Sequence, residues 1–575
     1  MQKLPITFLF LLISGILLAQ KTKKDTLTTQ EITVVKSYTP KISDAFKIKT
    51  NPTIKDSDLF KKEKVNFHIN SVPVASTFTP TKGKVQGIKR APKEKIYNSY
   101  ISGGFGNYKS PFFDAFLTTG DSRYFDFGLF LKHQSSLDNI KNTLLNSTYS
   151  DTKIEGYYQQ FERNLNYKIT TGVQQQKVNY YGLPNNLTFD NNVIDAINEK
   201  QIYKTIYVGG NLKMKHSFLK NVTAKIQNFS DDYNSNELQI TVQPKIDLPI
   251  ATETLNNEFL LQLITSKFNQ NYTNTNSLKY SFFNAGFNPN LVVLRKNLTV
   301  NLGAKLYYSS NLETKETSFF AYPKVTASYK LSDENLILNA GVTGDLIQNS
   351  YQNFVTQNPF VSPTLNLQQT DQQYKGYLGL KGKQNIINFN TSISYSSEKD
   401  KPLFIQNQTQ TDGTILVNKA YQAGNSFQVI YDNVKTLNFL AEISVQASED
   451  FNLSVQLNYY NYSTNNQQEA WNLPNIKASL SVNYKNNNWF STAKLFYRGE
   501  TKDFSIPYNS NTINGVIITN KSFTDLNLKG GYIFTNRLTA FAQINNVFNK
   551  KYDQFLNYQV QGFQVLAGIT YKFNL

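Results

Sequence analysis

In Gly562–Phe573 (GFQVLAGITYKF) apolar and mostly polar residues alternate. Phe563, Val565, Ala567, Ile569, Tyr571 and Phe573 fall on one face of a β-strand. Gln564, Leu566, Gly568, Thr570 and Lys572 fall on the other, because strand side chains switch sides at every residue. The pattern recurs upstream. Leu298, Val300, Leu302, Ala304, Leu306 and Tyr308 oppose Thr299, Asn301, Lys305 and Tyr307. Phe451, Leu453, Val455, Leu457 and Tyr459 oppose Asn452, Ser454, Gln456 and Asn458, and Ile476 to Tyr484 oppose Lys477 to Lys485 in the same way. A soluble sandwich would show this alternation with its apolar face inward. Length separates the two: these stretches run roughly 10 to 16 residues, soluble strands average about 5 to 6, and crossing lipid takes about 9 to 11. The expectation is an all-β fold, a transmembrane antiparallel barrel with apolar faces toward lipid and polar faces toward a wet lumen.

Composition agrees with a barrel. The chain holds 41 Phe and 36 Tyr but a mean hydropathy of −0.43, an average that looks soluble and that arises when every second strand residue faces water. It has no Cys, which excludes disulfide scaffolding, thiolate metal sites, thiol catalysis and a lipidated N-terminal Cys. Residues 1–20 read as a signal peptide: Lys3 is the positive end, Leu4 to Leu18 the apolar stretch, and Ala19 a small residue for cleavage. That stretch falls short of the roughly 20 apolar residues a spanning helix needs.

Residues 21–96 read as a basic, Pro-broken arm. They carry 17 Lys/Arg and 7 Asp/Glu, and Pro40, Pro52, Pro73, Pro80 and Pro92 interrupt them. Such a segment stays extended or loosely ordered. In a secreted chain its charge suits anionic lipid or a periplasmic partner rather than nucleic acid. Residues 97–575 are then the barrel. Short links (Glu449-Asp450, Lys485 to Asn488, Thr535 to Arg537) alternate with long ones (Gln134 to Asp151, Gly182 to Gln201, Ser350 to Thr370, Asn407 to Gly424, Ser463 to Pro474, Glu500 to Asn520). Short periplasmic turns and long outside loops are the barrel rule. Keeping that parity from end to end, with Asn425 to Ser448 as one long strand, gives about 22 strands.

Over about 50 residues the C-terminal region resembles TonB-dependent receptors of Gram-negative bacteria, the Bacteroidota version most closely. The residues that carry the resemblance are Asp525 to Tyr532 (DLNLKGGY), Phe541 to Tyr552 (FAQINNVFNKKY) and the final GFQVLAGITYKF. It implies the cell outer membrane of a Gram-negative bacterium as location, outer-membrane lipid as surroundings and the barrel assembly machinery as a partner. The final alternating strand is expected to close the barrel. Members of that family carry a plug domain inside the barrel. Here 76 residues precede the first strand, too few for the plug's own sheet, so the chain resembles a plug-less relative. Glu31, Ile32, Thr33, Val34 and Val35 resemble a TonB box, an extended segment that adds a strand to TonB or another periplasmic protein; read without the resemblance, they are a β-prone piece of a flexible arm.

Little points to catalysis. The chain has three His. His68 lies in the arm, and His133 and His216 fall in the lipid-facing phase at strand ends, away from any lumenal nucleophile. No two His are close, and Asp231-Asp232 and Glu398 with Asp400 lack calcium-loop spacing. Gly103-Gly104-Phe105-Gly106 precedes no helix and reads as a first strand rather than a phosphate loop. No cofactor, metal or catalytic residue is expected. Tyr351, Phe354, Phe360, Phe404, Trp471 and Tyr508 in the long loops suit glycan or protein binding, or are simply solvated loop residues. Two functional readings follow: uptake or transport across the outer membrane, and an accessory or scaffold subunit that holds surface lipoproteins or other envelope proteins.

Overall fold

The computed structural model describes residues 96–575 apart from 121–122, 251–252, 333–334 and 509–514. Residues 1–95, which hold the stretch expected to be a signal peptide, all but the last residue of the expected arm, Glu31 to Val35 and His68, lie outside the described residues.

One closed sheet of 22 antiparallel strands makes the wall. Each strand pairs with its neighbours in chain order. The first, Ser99–Gly106, pairs with the last, Gln564–Phe573, with Ser99 opposite Phe573 and Gly106 opposite Leu566. Closure leaves no unpaired edge, which is what a sheet in hydrocarbon requires. At the seam the two backbones are close. Gly104 faces Gly568, and a Cβ on Gly104 would stand 2.7 Å from the Ala567 carbonyl oxygen. The glycines that superficially resemble a phosphate loop thus serve strand packing. Asn425 to Ser448, read as one strand, forms Phe427–Gln446. Glu398 and Asp400, which lack calcium-loop spacing, lie inside the strand Ile387–Gln406, beside a register shift between Glu398 and Lys401.

The outward face is apolar and exposed. Leu291, Leu302, Val325 and Val342 are consecutive register partners around the wall. Leu302 is 47% exposed and Ile569 57%, which in water would be an aggregation surface and in lipid is solvation. Aromatic pairs edge this band. Trp489–Tyr532 (4.7 Å) and Tyr571–Phe573 (6.0 Å) mark the short-turn end, and Tyr308–Phe319 (5.1 Å) the other. Phe319 and Tyr329 share one strand face, roughly ten residues or about 33 Å apart along the strand. At a tilt of about 40° that is about 25 Å of membrane thickness. The structure is therefore a membrane-spanning barrel.

The wall is uneven. Strands at the seam are 8 to 10 residues long (Ser99–Gly106, Ser110–Thr118, Leu538–Asn545, Gln564–Phe573). Across the barrel Ile387–Gln406 and Phe427–Gln446 each have 20, enough to stand well clear of the lipid. The long loops all leave from this outer end, as their parity predicts. Three outer links are nonetheless short: residues 107–109, 232–235 and 312–315.

Candidate functional site

The largest hydrophobic core among the described residues lies at the outer mouth, where loops from around the rim pack on one another. Helix α1 (Asn191–Ala196) comes from the 180–199 loop and α2 (Tyr351–Gln357) from the 349–368 loop. Two small hairpins, Thr501–Ser505 with Val516–Asn520 and Asp553–Phe555 with Tyr558–Gln559, come from later loops. Tyr351, Phe354, Val361, Leu365, Phe404, Phe427 and Tyr558 are buried together. Tyr351 meets Phe268 at 5.0 Å and Phe229 at 5.2 Å, and Phe360 stacks on Tyr558 at 3.6 Å. A second cluster joins Leu183, Phe189, Val193 and Ala423, and a third Leu403, Ile405, Val434 and Trp471.

Polar bonds lace the same loops. The Tyr180 hydroxyl donates to the Val361 carbonyl (2.8 Å), Tyr181 to Gln559 (2.9 Å), Tyr203 to Pro359 (2.9 Å) and Tyr558 to Asn425. Glu237, fully buried, accepts from the Tyr351 N–H (2.6 Å) and the Gln352 N–H (3.3 Å) at the start of α2, and Ser350 accepts from Asn353. A carboxylate there satisfies the free N–H groups of the first turn and complements its partial positive charge. Asp231 accepts from the Tyr351 hydroxyl (2.7 Å). Asp503 accepts from the Gln406 N–H (3.0 Å), the Phe504 N–H (2.7 Å) and the Asn472 carboxamide (2.8 Å), tying two loops to the end of the strand Ile387–Gln406. Burial pushes its carboxyl up to about 6 despite those bonds. The result is a roof over the outer end of the barrel.

This changes the reading of the loop aromatics. Tyr351, Phe354, Phe404 and Trp471 are buried at 1%, 0%, 8% and 3% exposure. They are neither displayed for ligands nor solvated; they form the core on which the outer-mouth loops pack. Phe360 and Tyr508 are half-buried.

Beneath the roof the lumen wall is polar, charged and braced. Tyrosine hydroxyls donate to carboxylates at Tyr100–Asp114 (3.0 Å), Tyr157–Asp126 (2.8 Å), Tyr307–Asp345 (2.8 Å) and Tyr322–Asp371 (2.8 Å), and Tyr207 does so to Glu155. Lys305 joins Asp345 (2.7 Å), Lys153 joins Glu155 (2.8 Å), and Lys245 and Lys324 both approach Glu258. Lys477, Lys494 and Arg498, which the sequence did not single out, project into the lumen with no carboxylate within 4 Å among the described residues. Their phase in the alternation was the available signal.

His133 bonds Thr152 (2.8 Å) and Ser135 (3.1 Å) on the outward face, and His216 is exposed in a short turn. Val565, Ala567, Ile569, Tyr571 and Phe573 lie on the strand that pairs with the first one, facing out; Phe563 precedes that strand. The structure does not bring these together with any lumen group.

Fold and site thus define a roofed, 22-stranded membrane barrel. No protein-family model and no curated sequence matches the chain. Solved structures do. The iron transporter FrpB from Neisseria meningitidis (F3-3 variant) superposes with a TM-score of 0.63 over 84% of this chain and 82% of its own, at 12% identity. The pyoverdine outer membrane receptor FpvA from Pseudomonas aeruginosa PAO1, bound to pyoverdine, gives 0.59 over 84% and 80% at 12% identity. The copper transporter OprC gives 0.59 over 84% and 82% at 13% identity. The likeness is one of fold.

Proposed function

We propose that this chain is an outer-membrane barrel that takes part in the uptake of a solute, with the roof as its outer barrier and the charged lumen as its route. The observation that carries this is the pairing of a closed 22-stranded wall with a lumen lined by braced polar and ionic groups. The neighbours in fold named as an iron transporter, a pyoverdine receptor and a copper transporter support the same reading. Glu31 to Val35 are assigned as the segment that adds a strand to TonB or a similar periplasmic protein, and residues 21–96 as the arm that restrains passage.

Single-channel conductance of the purified protein tests this, with and without residues 21–96. Deletion of the arm is expected to raise conductance; an unchanged trace would end the arm's role. A Glu31→Pro, Val34→Pro variant, unable to pair along both edges, is expected to lose uptake in cells while keeping its membrane level.

The accessory reading draws on a different observation, the packed loop core at the outer mouth, which suits a platform for surface lipoproteins. Pull-down from solubilised membranes separates the two. A stoichiometric partner with no conductance in any form of the barrel would favour the platform.

A further inference from the structure

We propose that Lys477, Lys494 and Arg498 form an oxyanion subsite on the lumen wall, taking the phosphate or carboxylate group of a small solute. Lys477 and Arg498 are direct register partners between the strands Ile476–Lys485 and Trp489–Arg498, and Lys494 opposes Ser481 on the same lumen face. Like charges directly opposite one another weaken a sheet. Elsewhere the chain answers lumenal cations with carboxylates, as at Lys305–Asp345 and Lys153–Glu155. Here, among the described residues, no carboxylate comes within 4 Å of any of the three. The Asp525 carboxylate, on the next strand, is buried and takes up the Leu526 N–H (2.7 Å) and the Tyr552 hydroxyl (3.3 Å) instead.

The neighbouring groups are donors as well. The three cations line a cavity of about 700 Å³ together with Asn458 and Asn527. The Asn458 side-chain oxygen accepts from the Tyr460 hydroxyl (3.4 Å) and the Asn527 oxygen from the Asn546 N–H (3.2 Å). Their NH2 groups make no hydrogen bond among the described residues and remain able to donate to a ligand. One Arg498 nitrogen donates to the Gln554 carbonyl (2.8 Å), which fixes the guanidinium and leaves further donors. Two ammonium groups, a held guanidinium and two carboxamide donors, with no carboxylate within 4 Å of the cations among the described residues, match the charge of an oxyanion.

As a statement about cargo this rests on the transport reading. As a statement about binding it does not, and it is measured on the purified full-length protein without any transport assay. Calorimetric titration uses inorganic phosphate in one arm and succinate in the other. At least one is expected to bind, and the arm that responds fixes the group recognised. Lys477→Gln with Arg498→Gln is expected to weaken that binding at least tenfold. Lys477→Glu, which would give Arg498 a cross-strand partner, is expected to abolish binding and raise the melting temperature of the ligand-free barrel, a readout that also guards against misfolding. Binding of neither anion, or binding by the double variant as tight as by the parent, would overturn the proposal.

Discussion

The wall and the roof use the same residue types in opposite ways. Phe and Tyr on the outward face of the wall are exposed, as at Phe127 and Tyr459, and stabilise the barrel because lipid solvates them. Phe and Tyr in the roof are sealed from solvent, as at Phe354 and Tyr421, and stabilise it by packing on one another. The wall is held by its continuous ladder of backbone hydrogen bonds, which needs no particular side chain. The roof has few such ladders and depends on side chains meeting. The two parts therefore have separable stabilities, and a substitution in one should leave the other standing.

Phe354→Ala is the strongest test. Phe354 is fully buried and packs edge-on against Phe404 at 5.8 Å. Truncating a buried Phe costs about 3–5 kcal/mol, which should be enough to undock α2. Limited proteolysis is expected to cut the 349–368 loop in the variant and spare it in the parent. The unboiled protein should still run as a folded barrel on a gel. Loss of the folded band along with the loop would show that wall and roof are one cooperative unit.

Leu302→Arg probes the other side. It places a charge in the middle of the exposed apolar row, where Arg costs about 2–4 kcal/mol. The folded band should unfold at lower temperature, while the roof loops stay protected in whatever fraction has inserted. Equal stability of variant and parent in bilayers would mean that this face does not meet hydrocarbon.

How far each part was legible in the sequence follows from the same contrast. The wall was legible because a period of two is written in every strand and because chain-order pairing needs no long-range information. Parity of the links was enough to reach a count near 22. The roof was not legible. Tyr351 and Trp471 stand in loops and Phe404 near the outer end of the strand Ile387–Gln406, tens of residues apart, and nothing local tells that they converge. Polar surroundings made them look like surface groups. The carboxylates Asp231, Glu237 and Asp503 were opaque for the same reason, since each is satisfied by backbone N–H groups or hydroxyls that chain folding alone delivers. Lys477 and Arg498 stand between these cases: their lumen phase was readable from alternation, but their lack of a carboxylate partner required the register.

Asp503 carries the mildest prediction and the one most specific to the roof. Its carboxyl is raised from 3.8 to about 6 by burial, so the folded roof favours the protonated acid more than the unfolded loop does. The stabilisation is complete below about pH 3.8 and is lost as pH rises through about 6, a span of about 3 kcal/mol at most. The chain has two Trp, and Trp471 packs on Phe504 next to Asp503 (5.6 Å). In a Trp489→Phe background its fluorescence reports on this corner alone. The urea midpoint of that signal is expected to fall between pH 4.5 and pH 7.5. Asp503→Asn, which keeps an oxygen for the Gln406 and Phe504 N–H groups but cannot ionise, should remove the slope. A slope that survives the substitution would assign the pH response to another group. A midpoint that moves together with the melting of the wall would contradict the separation of the two parts.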